Sequence, residues 1–290
     1  DSAIARYAVT GQSVAIAILD RGIDWRSNDF RNDNGTTRLA WIFDLTDDTG
    51  RNFPNNPYGV GTIYARASID SALLGQRTLT FRDAVGHGST TSGIILGNGR
   101  NSTNRKWRGI APNATIICIK FTTEGAPAHG GEPAEAPFYD PARFPVAVNF
   151  ARDKAAALGM PCVMLANFGS QGGPTDGTSG FCRKIDSTVG VGKRGLAFVT
   201  GPGDDGGNPN RASFTIASGQ FDTLKIRKAA TGSLFLDLWY GGNDRFDVTI
   251  KTPTTTFGPY PSPPTNNDNT FISNTSFVFY HLGSNVVFYG

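Results

Sequence analysis

Two short segments constrain this chain more than any other part of its sequence. Residues 15–24 read AIAILDRGID, an apolar run of strand length that ends in Asp20 and is followed by Gly22. Residues 86–95 read GHGSTTSGII, where His87 lies between two glycines ahead of a small-residue helical pattern. The first pattern predicts a buried strand with Asp20 at its carboxyl end, where open α/β sheets bind ligands. Asp before His is also one of the chain orders of an Asp-His-Ser triad.

This pair of segments resembles the subtilisin-like serine proteases, and three further segments follow in the family's order. Residues 107–117 (WRGIAPNATII) resemble the turn and strand that come after the family's histidine helix. Residues 163–170 (VMLANFGS) resemble its substrate-binding strand. Residues 197–206 (AFVTGPGDDG) resemble the strand and turn of its oxyanion hole. Five motifs in one order, over roughly the first 210 residues, argue against chance agreement.

The resemblance implies a fold, an activity and roles for individual residues. It implies a doubly wound parallel α/β sheet and a serine endopeptidase in which Asp20 and His87 are two members of the triad. Asn167, Phe168 and Gly169 would offer main-chain groups and a pocket wall to an extended peptide substrate. Without His87, Asp20 would be read as a carboxylate that caps a turn, and Phe168 also fits an ordinary edge strand.

The serine of the triad is where the chain departs from the family. The block Gly-Thr-Ser-Met-Ala-Xaa-Pro, which carries the nucleophile, does not occur in the 290 residues. Residues 177–179 read GTS, but GFCR follows them instead of a small apolar helix start. Ser179 therefore fits a helix N-cap better than a nucleophile. We expect the nucleophile on sequence or on a chain outside these residues, which makes a C-terminal complement the expected partner.

Asp204 occupies the position of the family's oxyanion-hole asparagine, and an ionised carboxylate there would repel the developing negative charge. Three explanations stay open: an acid-form Asp204 that donates a hydrogen bond, an inactivating change, or a one-residue slip in the motif match. Asp205 does not restore an asparagine, and Asn208 lies too far along the turn. Asp204 and the missing serine leave a second function open, a catalytically inactive pseudoprotease or a peptide- or glycan-binding module.

The composition fits a secreted globular enzyme. The chain has 39% hydrophobic and 18% charged residues and a net charge of +3, which gives no reason to expect nucleic acid as a partner. No apolar stretch has the length of a membrane span, so no membrane association is expected. Residues 1–10 lack the pattern of a signal peptide, and we expect that any export signal has been removed or lies outside the 290 residues. The implied chemistry requires no cofactor, although the acidic loop 44–48 could supply oxygen ligands for a structural calcium ion.

The secondary-structure pattern divides the chain at about residue 210. Before it, strands are predicted at 14–19, 115–121, 162–167 and 196–200, and helices at 87–96, 145–158 and 178–191. The Gly-, Pro- and Asn-rich stretches 28–80 and 122–143 are predicted to be surface insertions. After it, period-two alternation predicts strands at 213–217, 223–227, 233–240, 245–251 and 276–280. We therefore predict a catalytic domain over residues 1–210 and an antiparallel β-sandwich or jelly roll over residues 211–290.

Overall fold

The computed structural model describes residues 2–169, 172–174, 176–204, 206–207, 211–228 and 231–286, without the side chains of residues 2, 3 and 5. The chain divides into two compact units. The first contains the chain up to residue 169 together with Gly180–Gly201, and the second contains the other described residues. The predicted domain boundary at residue 210 stays a prediction.

The first unit alternates strands and helices. Its helices are α1 (Ser2–Tyr7), α2 (Arg66–Leu73), α3 (His87–Leu96), α4 (Phe144–Leu158) and α5 (Gly180–Thr188). Its strands are β1 (Ala15–Asp20), β2 (Leu39–Asp44), β3 (Thr62–Ala65), β4 (Thr115–Lys120), β5 (Thr122–Thr123), β6 (Phe138–Tyr139), β7 (Cys162–Ala166) and β8 (Leu196–Thr200).

Six of these strands form one sheet in the order β3-β2-β4-β1-β7-β8. Strand β3 runs antiparallel to β2, and all other neighbours are parallel. The register sets Asp20 of β1 beside Lys120 of β4, and Lys120 beside Asp44 of β2. Three charged side chains, each the last residue of its strand, therefore meet at the carboxyl edge of the sheet.

Strand β1 is buried on both faces, as expected for a central strand of a parallel sheet. Ala17 and Leu19 belong to a core that β1 shares with helix α4. Ile16 and Ile18 belong to a second core on the opposite face, which Leu96 of α3 joins. The sheet is thus covered on both sides at β1, which confirms the α/β fold expected from the sequence.

Most predicted elements of the first unit are confirmed, as strands β1, β4, β7 and β8 and helices α3, α4 and α5. The prediction that residues 28–80 are a surface insertion is wrong, because β2, β3 and α2 lie there. Leu39, Ile42 and Phe43 of β2 are fully buried in the sheet. A strand buried on both faces has no polar alternation, so the turn residues that flank β2 concealed it.

The second unit contains strands β9 (Asp247–Lys251), β10 (Thr256–Pro261), β11 (Asn269–Ser273) and β12 (Val278–Leu282). They form two antiparallel pairs, β9 with β10 and β11 with β12. The strands predicted at 245–251 and 276–280 overlap β9 and β12. Within the described residues, the segments 213–217, 223–227 and 233–240 are not strands, since alternation alone supplies no pairing partner. The jelly roll stays a prediction.

Among the helices in the described ranges, none combines the length and the apolar character that a bilayer crossing requires.

Candidate active site

The structure brings Asp20 and His87 into direct contact. His87 Nδ1, at the start of α3, lies 2.6 Å from Asp20 Oδ1, at the end of β1, although the two residues are 67 positions apart in sequence. Asp20 is 1% exposed, whereas the His87 side chain is 37% exposed. The backbone N–H of Arg21 also donates to Asp20 Oδ1 at 2.6 Å. A buried carboxylate on Nδ1 fixes the tautomer of an imidazole whose remaining edge is accessible.

A close backbone contact sets where His87 lies. A Cβ atom on Gly88 would overlap the carbonyl oxygen of Gly22, so the start of α3 packs directly on the turn that follows Asp20. Gly22 in turn has a φ of +126°, and a Cβ there would lie 3.0 Å from the carbonyl oxygen of Arg82. Both glycines were visible in the sequence, but their mutual contact was not. Only glycine permits an approach this close.

Asp83 holds the first turn of α3, a role that the sequence analysis missed. Its carboxylate accepts hydrogen bonds from the backbone N–H of Gly86 at 2.9 Å and of Ser89 at 2.7 Å, and from the Ser89 hydroxyl at 2.7 Å. These donors flank His87 on both sides. An acidic residue just ahead of a small-residue helix is the signal that would have identified this cap.

The segment expected to bind substrate follows β7. The backbone N–H of Asn167 donates to Leu19 O at 3.2 Å, which continues the pairing with β1. Asn167 Nδ2 donates to the Thr91 hydroxyl at 2.8 Å and thereby ties the strand end to α3. Phe168 stacks on Phe121 with ring centroids 4.4 Å apart, so its ring contributes to the packing of this edge. Apart from the chain neighbours of Gly169, no atom of the described residues lies within 4 Å of its Cβ position, which leaves room beside its backbone.

Asp204, at the oxyanion position, and Ser179, in the GTS segment, both belong to the second unit. Asp204 is exposed, and Asp205 and Asn208 fall outside the described residues. Ser179 is half-buried and directly precedes α5, the position that the N-cap interpretation gives it.

The carboxyl edge also holds an ion pair that the sequence analysis did not single out. Lys120 is almost fully buried and pairs with Glu135, while its Nζ donates to Arg82 O at 2.9 Å. Burial raises the pKa of the neighbouring Asp44 carboxyl above its ordinary value, and the positive charge of Lys120 acts in the opposite direction.

In the acidic loop proposed to bind calcium, the carboxylates accept hydrogen bonds from other groups of the protein. Asp44 accepts from Thr46, Asp47 from Thr49 and Asp48 from Arg143. In the ranges that the structure describes, no group of three or more His, Cys, Asp or Glu residues is arranged to hold a metal ion. A structural calcium ion at this loop stays a prediction.

The cysteines do not contribute to this site. Cys118 and Cys162 are buried free thiols, so Cys162 forms no disulfide with Cys182. Burial raises the pKa of Cys162 to about 11, and that of Cys118 well above its ordinary value. Thiols that stay protonated at neutral pH are poor nucleophiles.

Similar folds occur in solved proteases. The Clostridium perfringens CspB protease has a TM-score of 0.54 and 22% identity, and the match covers 69% of this chain and 37% of that protein. The S41 psychrophilic protease (TM-score 0.40, 20% identity, 66% of this chain and 46% of that one) and sphericase (TM-score 0.39, 17% identity, 66% and 46%) are more distant. This chain thus spans less than half the length of each.

No curated protein sequence matches the chain significantly. The sequence profile of the subtilase family, in contrast, matches residues 11–290, nearly the whole chain. It covers both the Asp20 and His87 segments, whose side chains meet at the carboxyl edge of the sheet, and on this ground the chain belongs to the subtilase family.

Proposed function

We propose that this chain supplies the Asp–His half of a subtilisin-like serine endopeptidase that hydrolyses peptide bonds through an acyl-enzyme. The observation that carries the proposal is the contact of 2.6 Å between the buried Asp20 carboxylate and the partly exposed His87 imidazole. A contact of this kind suits a general base that must exchange protons with a reacting group.

The proposed reaction uses the two residues in turn. As the serine oxygen bonds to the carbonyl carbon of the substrate, His87 takes the hydroxyl proton and Asp20 stabilises the imidazolium. His87 then gives this proton to the leaving amine as the peptide C–N bond breaks. Water hydrolyses the resulting ester by the same route, which restores the serine.

The substrate would bind as an extended strand beside Asn167, Phe168 and Gly169. Main-chain pairing with the end of β7 supplies affinity for peptides irrespective of sequence. The space beside Gly169 supports this assignment. Phe168, stacked on Phe121, would form a rigid wall of the side-chain pocket.

The nucleophile would come from a helix on sequence or on a chain outside the 290 residues. Support comes from one face of the sheet, which becomes progressively less covered along one row of neighbouring residues. Ile18 of β1 is 1% exposed, its neighbour Leu165 of β7 is half-buried, and Val199 of β8, next in the row, is 46% exposed. An apolar face that opens toward the sheet edge suits a covering helix, and the serine-bearing helix is the occupant we propose.

Two features favour a second candidate function, a catalytically inactive peptide- or glycan-binding module. They are Asp204 in place of the oxyanion-hole asparagine and the absence of the Gly-Thr-Ser-Met-Ala-Xaa-Pro segment from the 290 residues. Asp204 is exposed in this chain, and an ionised carboxylate at the oxyanion position would repel the developing negative charge. For the protease, we propose a secreted location and peptide or protein substrates, on the strength of the family.

Labelling of the purified chain with a serine-directed phosphonylating reagent tests the proposal. The 290-residue chain alone should not react, and a preparation that also contains the complement should be modified stoichiometrically on the complement. Peptide mapping locates the modified serine.

A His87→Ala variant in the same complemented preparation is the matched control, because triad-dependent labelling disappears with the base, whereas surface labelling persists. Stoichiometric modification at Ser179 of the chain alone would make it a complete, rearranged enzyme and overturn the proposal. A complemented preparation that binds peptide but never labels would favour the binding module.

A further inference from the structure

Residues 124–137, here called the strap, form the hairpin loop between β5 and β6, which lies over the carboxyl edge of the sheet. The strap is closed at its base by pairing of β5 with β6, and further out by two hydrogen bonds between Ala126 and Glu135. A cavity of about 330 Å³ separates part of the strap from the ends of β2 and β4. The strap is therefore attached at a few points and is not packed along its length.

Those points of attachment include ion pairs between glutamates of the strap and cations near Asp20, and a hydrogen bond that Arg82 donates to the Pro133 carbonyl. The pairs are Arg21–Glu124 at 2.6 Å, Arg82–Glu132 at 2.6 Å, and Lys120–Glu135. In the first two pairs the glutamate is at least half exposed, whereas Lys120 is 2% and Glu135 is 16% exposed. Exposed pairs hold a structure weakly, and removal of one partner from a buried pair is strongly destabilising. Lys120–Glu135 is the anchor of the strap.

Lys120 also holds the segment that leads to His87. Its Nζ donates to the carbonyl oxygen of Arg82 at 2.9 Å while it pairs with Glu135. The next residue, Asp83, accepts from the backbone N–H groups of Gly86 and Ser89 on either side of His87. One buried ammonium group thus joins the strap to the residues that set the start of α3.

We propose that Lys120 is a positioning residue through which the strap regulates the active site: the anchored strap keeps His87 against Asp20, and release of Glu135 loosens that contact. The physical reason is the burial of Lys120. Once Glu135 leaves, the unneutralised ammonium group must draw in water or move, and the Arg82 carbonyl moves with it. This inference rests on the proposed protease function only where it concerns catalysis. The contacts themselves can be measured without turnover.

The test uses the 290-residue chain and two measurements by NMR. The first is the downfield Nδ1–H resonance of His87, which reports its hydrogen bond to Asp20, assigned with the aid of a His87→Gln variant. The second is hydrogen exchange at the amides of Gly86 and Ser89. Both are compared in Glu135→Gln, Lys120→Met and the double variant. Glu132→Gln is the matched control, because it removes the same charge from the same strap at an exposed pair.

Glu135→Gln and Lys120→Met should each broaden or abolish the His87 resonance and speed exchange at both amides by about tenfold or more, and the double variant should do no more than either alone. Glu132→Gln should leave both readouts within about twofold of the parent chain. An unchanged His87 resonance in Glu135→Gln would overturn the proposal, as would additive effects in the double variant or an equal effect of Glu132→Gln. If Lys120→Met does not fold, the comparison of Glu135→Gln with Glu132→Gln decides alone. A chain that never shows protease activity would leave these outcomes intact, so the two proposals fail separately.

Discussion

The backbone of Gly88 lies against the carbonyl oxygen of Gly22, with no room for a side chain between them. This contact joins the first turn of α3 to the turn after β1. His87 directly precedes Gly88, and Asp20 lies two residues before Gly22, so the contact helps to set the distance between the two candidate catalytic groups.

Gly88→Ala should therefore destabilise the first unit by roughly 1–3 kcal/mol, the typical cost of forcing an extra carbon into a filled site. Gly93→Ala is the control in the same helix. Outside the chain neighbours and the helix backbone around Gly93, no atom of the described residues lies within 4 Å of its Cβ position, and alanine favours helix by about 1 kcal/mol. Denaturant unfolding followed by circular dichroism measures both changes. Equal stability of the two variants would show that the Gly88–Gly22 contact is not close in solution.

Asp20→Asn should lower kcat of the complemented enzyme about 10⁴-fold, because an amide keeps the shape but stabilises neither the correct tautomer nor the imidazolium. Asp44→Asn provides a control, since Asp44 is also buried at the end of a strand but lies two strands away from β1. Its kcat should stay within about threefold of the parent. Steady-state kinetics on a peptide substrate distinguish the two, and a loss smaller than tenfold in Asp20→Asn would argue against its place in a triad.

Asp204→Asn should preserve or raise the activity of the complemented enzyme, with an upper limit of about 10²–10³-fold, the usual effect of one oxyanion donor. The expected change in the pH dependence of kcat follows from the protonation of the carboxyl group. A carboxyl group donates only in its acid form and is lost as a donor when the pH rises, whereas an amide donates at every pH. The pH profile of kcat should accordingly flatten on its alkaline side. A large fall in activity would exclude the oxyanion role for this position.

The second unit should lose stability as the pH falls through the ordinary range of histidine. His281 is buried, its Nε2 contacts the Tyr240 hydroxyl, and burial lowers its pKa. Above an unfolded pKa of about 6.5 the histidine is neutral in both states and has no effect. Below that value the unfolded chain binds the proton first, so the free energy of unfolding decreases with falling pH.

Fluorescence of Trp239, beside Tyr240, can follow this unfolding between about pH 7 and pH 5. His281→Gln should weaken the pH dependence, because glutamine does not titrate. His129→Gln should not, because His129 is exposed on the strap of the first unit. The same pH dependence in all three chains would assign it to other groups.

Much of the first unit could be predicted from the sequence. The run that ends in Asp20 determined a buried strand, the glycines around His87 marked the start of a helix, and the order of motifs determined the family. These signals are local, since each depends on residues that are neighbours in the chain. Strand β2 was missed because its residues 39–44 are buried on both faces and lie among turn residues.

Only the tertiary structure decided which distant groups meet. The sequence contains Lys120, Arg82 and Glu135, yet their association depends on the register of β4 beside β1 and on the path of the strap across the strand ends. The approach of Gly88 to Gly22 likewise depends on how α3 packs on the sheet. A local pattern determines which face or end of an element a side chain occupies, whereas contacts between elements follow from packing, and no single stretch of the chain encodes that packing.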